Sequence, residues 1–183
     1  MIHVATPEWY AVMVKPNFEN TVAELFEYKG YENFLPLVPE VREWSDRRKV
    51  VNCPLFPRYV FCRFQFDRRV PILNTPGVVK IVSFGNQPSC VPKEEIDTLR
   101  SVMASQVHPV RCDYIPSGQR VRVNSGPLAG TEGIFIEAKS GCRIVISIHL
   151  LQRSAYVEID RQRIVMLPDP PSARAAMTAY DVM

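Results

Sequence analysis

The sequence has little with which to build a reactive centre. Its five cysteines (Cys53, Cys62, Cys90, Cys112, Cys142) are scattered, odd in number and never spaced C-x-x-C. Its three histidines (His3, His108, His149) lie too far apart to form local ligand pairs. A zinc site or disulfide framework is therefore not expected, and free thiols fit a reducing cytoplasm. Asp113, Asp160 and His149 fall in a linker, a strand and a loop with no acid–base pattern, so no catalytic residue, metal or cofactor is expected. No apolar run reaches the ~20 residues of a membrane helix, and Met1 opens a short polar lead rather than a signal peptide. These absences predict a non-enzymatic, soluble, cytoplasmic protein with no membrane segment.

A strong charge bias is missing too. The net charge is +3, but eight basic and four acidic residues lie between Glu40 and Arg69, so that segment is +4 and the rest about −1. What the chain does have is one unusual stretch, Pro54-Leu-Phe-Pro-Arg-Tyr-Val-Phe-Cys-Arg-Phe-Gln-Phe66. The two prolines fix an extended entry, and from Tyr59 the pattern has period two. Tyr59, Phe61, Arg63 and Gln65 share one face; Val60, Cys62, Phe64 and Phe66 share the other. A strand apolar on both faces must be covered on both, by its own protein or by a partner.

The rest of the chain falls into two compositions. Trp9 to Val14 reads as a strand stopped by Pro16. Asn17 is the expected N-cap of a helix whose stripe is Phe18, Val22, Leu25 and Phe26, with Gly30 at its C′ position. Tyr31 to Val38 is extended, and Glu40 to Asn52 is a hairpin with Ser45 to Arg48 at its tip. Arg68 to Asn74 is a short helix interrupted by Pro71, and Val78 to Phe84 a strand. Pro92 opens a helix burying Ile96, Leu99, Val102 and Met103 behind an exposed Lys93, Glu94, Glu95 and Asp97. This predicts an α+β sandwich with an antiparallel sheet over residues 8–106, then a linker at 107–116.

From 117 to 168, alternating pairs such as Val121/Val123, Ile134/Ile136 and Ile144/Ile146/Ile148 are punctuated by Gly118, Gly126, Gly130, Gly133 and Gly141. Five short strands there predict a small all-β barrel, followed by a flexible tail at 169–183. Ile144, Ile148, Leu151, Ala155 and Ile159 also fit helical spacing; β-branched enrichment and the glycines favour strands.

Trp9-Tyr-Ala-Val leading into a helix, Pro54-Leu-Phe-Pro-x-Tyr-Val-Phe61, and Val78 to Pro92 with its Phe84-Gly85 turn resemble the amino-terminal (NGN) domain of the NusG family. Gln119-Arg-Val-Arg-Val-Asn-Ser-Gly-Pro-Leu-Ala-Gly-Thr-Glu-Gly133 resembles the KOW motif of that family's second domain. The two motifs stand in the expected order and together cover residues 9–167. The resemblance implies a transcription elongation factor whose first domain binds the β′ clamp helices of RNA polymerase and modulates pausing, termination or antitermination. It implies a KOW domain that recruits a further factor, ribosomal protein NusE or Rho. Arg58 stands where general members have glycine, which is closer to specialised RfaH-like or UpxY-like members.

On that resemblance the polymerase-binding residues are Tyr10, Met13, Phe56, Tyr59 and Phe61, and Phe61→Ala is expected to weaken binding with little loss of stability. The alternative is that these side chains are intramolecular core. Arg47, Arg48 and Lys49 are candidates for weak contact with upstream or non-template DNA, against the plainer reading of a solvated turn. Ile148, His149, Leu150 and Leu151 are candidates for the KOW partner surface, against packing on their own protein; the family's usual Phe-Gly-Arg is absent there. The chain is expected to be a monomer. The rival function is a KOW-containing ribosome- or RNA-binding module, which needs a basic barrel face. Residues 117–167 carry seven basic and four acidic residues, only +3.

Overall fold

The computed structural model describes residues 6–43, 48–84, 87–105, 107–112, 114, 118–138 and 141–168. The first strand, β1 (Glu8–Val14), buries Trp9, Tyr10, Ala11, Val12 and Val14. α1 (Glu19–Tyr28) follows, but Asn17 is not its cap. Phe18 is the N-cap residue and makes no side-chain cap bond, whereas Asn17 turns the chain with a left-handed φ of 65°. Asparagine is one of the few side chains that tolerate that conformation, so its local role is a bend rather than a cap. The C-terminal expectation holds: Gly30 (φ 78°) donates to Glu27 O and Tyr31 to Phe26 O, the paired bonds of a Schellman motif.

β2 (Glu32–Phe34) leads to a two-stranded ribbon, β3 (Leu37–Glu43) and β4 (Arg48–Pro54), whose tip at 44–47 lies outside the described residues. The aromatic stretch becomes β5 (Tyr59–Phe64). A single 3₁₀ turn at Phe66–Arg68 precedes α2 (Val70–Leu73), which takes Pro71 in its first turn, where a missing N–H costs nothing. The strand expected over Val78 to Phe84 divides into β6 (Val78–Ile81) and β7 (Ser83–Phe84). Val82 between them donates to Ala11 O, and β7 pairs with β8 (Gln87–Pro88). α3 (Lys93–Ala104) starts after Pro92 and buries Ile96, Leu99 and Val102.

The main sheet has the order β2-β5-β1-β6, with β1 antiparallel to both neighbours and Tyr10 opposite Cys62, Ala11 opposite Phe61. Alternation then sends the two faces into different cores. Tyr10, Val12, Val14, Val60, Cys62 and Phe64 pack with Val22 and Phe26 of α1 and Ile72 of α2. Trp9, Ala11 and Phe61 pack with Ile96, Leu99 and Val102 of α3. The result is the expected α+β sandwich, with helices on both faces of an antiparallel sheet.

The segment expected as a linker contributes a strand, β9 (Val110–Cys112), which pairs with β13. β10 (Gln119–Val123), β11 (Glu132–Ala138), β12 (Gly141–Ile148), β13 (Arg153–Ile159) and β14 (Ile164–Met166) complete an antiparallel sheet of order β14-β10-β11-β12-β13-β9. The helical spacing across 144–159 is overruled by the β12–β13 ladder, which runs from Cys142↔Ile159 to Ile148↔Arg153; only His149–Leu151 makes a 3₁₀ turn. α3 packs against β12, and Ile144, Ile146 and Ile148 join the same apolar cluster as Trp9 and Phe61. The two sheets are therefore docked, with α3 between them.

Candidate docking interface

The aromatic stretch is bent into place before β5 begins. Leu55 donates to Pro36 O at 2.7 Å, and Tyr59 donates to Phe56 O at 3.2 Å, closing a turn over Pro57 and Arg58. Arg58 has φ 71°, the left-handed region that glycine adopts without steric cost. Its N–H donates to Glu19 Oε1 at 2.8 Å and its carbonyl accepts from Val14 at 2.9 Å. A carboxylate from α1 thus secures the turn from beneath.

Met13, Phe56, Tyr59 and Phe61 are brought together on the α3 side of the sheet. Met13 stands opposite Tyr59 across the β1–β5 ladder, and both are half-buried. Phe61 lies 6.3 Å from Phe34 in a stacked arrangement and 6.2 Å from Phe56, edge to face. Tyr10 does not join them. Its register with Cys62 puts it on the opposite face, its ring 4.7 Å from Phe64 and 5.6 Å from Phe66. Burial raises the Tyr10 hydroxyl above the usual tyrosine range, with Cys90, Glu8 and Asp67 adding to the shift.

Phe61 is also not an open surface. It is 0% exposed and Phe56 2%, both inside the cluster shared with α3. The division of faces follows the period-two pattern, but the face assigned to a partner is covered within this chain. Arg100 of α3 spans its rim, 4.7 Å above the Trp9 ring and 5.4 Å from that of Phe34. Glu32 accepts from Arg100 at 3.0 Å and from Arg63 at 3.1 Å. Partial burial works against ionisation of Glu32, yet the two guanidiniums hold its carboxyl below the usual range.

Among the described residues, polar contacts of Arg111 and of Glu95 fasten the second sheet over this region. Arg111 of β9 donates to Leu55 O at 3.1 Å and to Pro54 O at 2.8 Å, and lies 3.8 Å from Glu40. It therefore grips the backbone of the aromatic stretch itself. On α3, Glu95 accepts from the His149 backbone N–H at 3.3 Å and sits 2.7 Å from His149 Nδ1. Burial pushes the Glu95 carboxyl up, only partly offset by His149. Glu95 was expected on an exposed helix face; its side chain is 15% exposed.

The KOW candidates divide. Ile148 is fully buried and belongs to the core, because its alternation with Ile144 and Ile146 directs it inward. His149 is exposed but engaged by Glu95, with Tyr114 edge-on at 6.0 Å. Leu150 and Leu151 pack partly against the shared cluster. At the ribbon, Arg48 and Lys49 are exposed on β4, and Arg47 lies outside the described residues. Among the described residues no cluster of three or more His, Cys, Asp or Glu could hold a metal. No described helix is long and apolar enough to cross a membrane. Burial pushes the Cys62 thiol up to about 12, which makes it an inert core residue.

Arg111 and Glu95 were not singled out from sequence. Each binds a partner more than fifty residues away, the Arg111–Leu55 separation being 56 and the Glu95–His149 separation 54. No local pattern carries such a pairing.

A family model described as "Transcription termination factor nusG" matches residues 7–100, just over half of the chain. The "Transcription termination/antitermination protein NusG" of Deinococcus radiodurans is 25% identical over 182 residues, covering 84% of this chain and 95% of its own. A Thermotoga maritima NusG structure titled for its domain interaction covers 88% of this chain and 98% of its own, at 20% identity and a TM-score of 0.49. An MjSpt4:Spt5 complex covers 88% of this chain and 99% of its own, at 15% identity and a TM-score of 0.31.

Proposed function

This chain belongs to the NusG family of transcription termination/antitermination factors, and we propose that it acts by docking RNA polymerase, at the β′ clamp helices, on the face bearing Met13, Phe56, Tyr59 and Phe61. The observation that supports this most is the nature of that face. It is a cluster of aromatics on rigid strands, capped by Arg100 and fastened to the second sheet by half-exposed polar contacts rather than by apolar burial alone. Aromatic and arginine side chains of this kind dominate protein–protein interfaces. Intrachain domain contacts that include solvent-open ion pairs, as between Arg111 and Glu40, behave like transient interfaces, so separation of the two domains is the expected route to binding.

In this reading the structure is the closed form. Release of Arg111 from Pro54 and Leu55, and of His149 from Glu95, frees two surfaces together. The half-buried Met13 and Tyr59 at the edge of that face become available to polymerase while Phe61 stays packed under α3, and the 149–151 turn becomes available to a factor recruited by the second domain. No catalytic step is involved; the protein holds surfaces together. The exposure of Arg48 and Lys49 on the ribbon supports a weak contact of these two side chains with DNA phosphates.

The rival, direct RNA binding by the second domain, is disfavoured by its internal charge pairing. Arg120 and Arg122 both bind Glu132, whose carboxyl they hold below its usual range, and Arg143 binds Glu158 at 3.0 Å while lying over Tyr156. The test is capture of purified RNA polymerase by the full chain and by Tyr59→Ala with Met13→Ala. Binding that falls at least tenfold in the double variant supports the reading; unchanged binding, or none by the parent chain, sinks it.

A further inference from the structure

We infer that Val79 and Lys80 of β6 form a first-contact site for RNA polymerase, open while the two domains are still docked and fitted to an acidic surface of that partner. The inference deepens the proposed function and rests on it for the identity of the partner.

The site is made by a slip in the ladder. β1 pairs with β6 as Val12↔Ile81 and Met13↔Lys80, but the next pair is Val14↔Val78. β6 therefore carries one extra residue, Val79, at a bulge, a device by which strands bend and re-aim side chains. Residues opposite each other across a ladder share a face. Met13 stands opposite Tyr59 in one neighbour and Lys80 in the other, so Tyr59, Met13 and Lys80 make one row across three strands. On the α3 side of the sheet this row comes next after Ala11 and Phe61.

Cover thins along that face. Ala11 and Phe61 are fully buried, and Met13 and Tyr59 are half-buried. Val79 is 49% exposed and Lys80 is exposed, both with the second sheet in place. The rim of the proposed docking face is therefore accessible before the domains part, whereas its middle is not.

Charge at this end of the sheet has one sign. Lys15 donates through its backbone to Gly77 O at 2.8 Å and Val14 to Arg58 O at 2.9 Å, which draws the ends of β1, β5 and β6 together. Lys15, Arg58 and Lys80 are exposed, and none of them forms an ion pair with another described residue. Glu19 reaches this end too, but it is 6% exposed and engaged by the Arg58 N–H. Three cations beside a valine, a methionine and a tyrosine match a surface where carboxylates flank an apolar contact. Such charges act over about 8 Å at physiological salt, before side chains interlock, and so govern the rate of encounter. Met13 and Tyr59 engage afterwards and govern the rate of release.

The experiment measures association and dissociation rates of the full chain on purified RNA polymerase free of nucleic acid, with thermal melts and sedimentation of each variant. Lys80→Glu should slow association about tenfold, and Lys80→Met, which keeps the apolar stem, about threefold. Both deficits should shrink as salt is raised, while both variants melt like the parent. Val79→Thr keeps the branched shape and should speed dissociation about twofold. Lys93→Glu, the same charge change on α3, should associate like the parent.

Parental association by Lys80→Glu overturns the site. A deficit seen only with DNA bound to polymerase assigns Lys80 to phosphates and overturns it as well. So does self-association of Lys80→Met whose monomer binds normally, because a bulge and a lysine also keep an edge strand from pairing with another copy. Slow association of Lys80→Glu beside parental binding by Met13→Ala with Tyr59→Ala refutes the docking-face reading and leaves the first-contact site standing. The opposite pattern refutes the site alone, and a parent chain that does not bind refutes both.

Discussion

The backbone N–H of Arg58 donates to Oε1 of Glu19 at 2.8 Å, joining the turn before β5 to the first residue of α1. Arg58 holds φ 71°, a conformation that costs an L-residue ~1–2 kcal/mol. Glu19 is 6% exposed, so its carboxylate is committed to the turn rather than to solvent. The aromatic stretch is therefore shaped by a helix some forty residues earlier.

Arg58→Gly relieves the left-handed strain but frees the unfolded chain, which offsets ~0.5–1 kcal/mol of the gain. The net expectation is stabilisation of up to about 1 kcal/mol in urea unfolding. Glu19→Ala leaves the Arg58 N–H without its acceptor and should cost ~1–3 kcal/mol. A neutral Glu19→Ala would refute the role given to that carboxylate.

Phe61→Ala should destabilise the chain by ~3–5 kcal/mol, because Phe61 is fully buried between the sheet and α3. This reverses the expectation of little stability loss drawn from the sequence. Tyr59→Ala removes a half-buried ring and should cost about 1 kcal/mol. Thermal melts of the two variants, compared with polymerase capture, separate folding from binding: Tyr59→Ala should lose binding out of proportion to stability.

Arg111→Met removes the donors to Pro54 O and Leu55 O and the distant ion pair with Glu40. The ion pair is more than a third exposed on both sides and contributes at most ~1 kcal/mol; the backbone contacts are the larger loss. The open form should become several-fold more populated, and polymerase capture correspondingly stronger. Hydrogen exchange of the Leu55, Phe56, Arg58 and Tyr59 amides reports the change, and protection equal to the parent's would argue against Arg111 as a fastening.

Gly133→Ala should disrupt the second sheet. A Cβ there would lie 2.4 Å from Ile144 Cγ2 and 2.7 Å from Val145 O, and the carbonyl belongs to a paired strand that cannot step back. Overpacking of this kind costs ~1–3 kcal/mol or more. Near-parental unfolding of the variant would show that β11 and β12 can separate without penalty.

Arg48→Ala with Lys49→Ala tests the DNA contact. If both side chains meet phosphates of duplex DNA, the slope of log affinity against log salt should fall by about 1.8 in a reconstituted elongation complex. An unchanged slope would return these residues to the role of a solvated ribbon.

Much of this protein was legible in its residues. The period-two run from Tyr59 to Phe64 determined a strand with two apolar faces, because alternation places neighbours on opposite sides whatever the context. The stripes of α1 and α3, the Schellman glycine Gly30 and the barrel pairs were equally local signals. Tertiary structure decided what covers each face. Tyr10 went to the opposite side from Phe61 through its register with Cys62, Val110–Cys112 became a strand because β13 had an open edge, and Asn17 became a left-handed bend. Above all, Phe61 was buried and Arg111 and Glu95 acquired their roles through partners distant in sequence. Periodicity states that a face is apolar; only the packing of remote segments states whether that face is closed by its own chain or held in reserve for another.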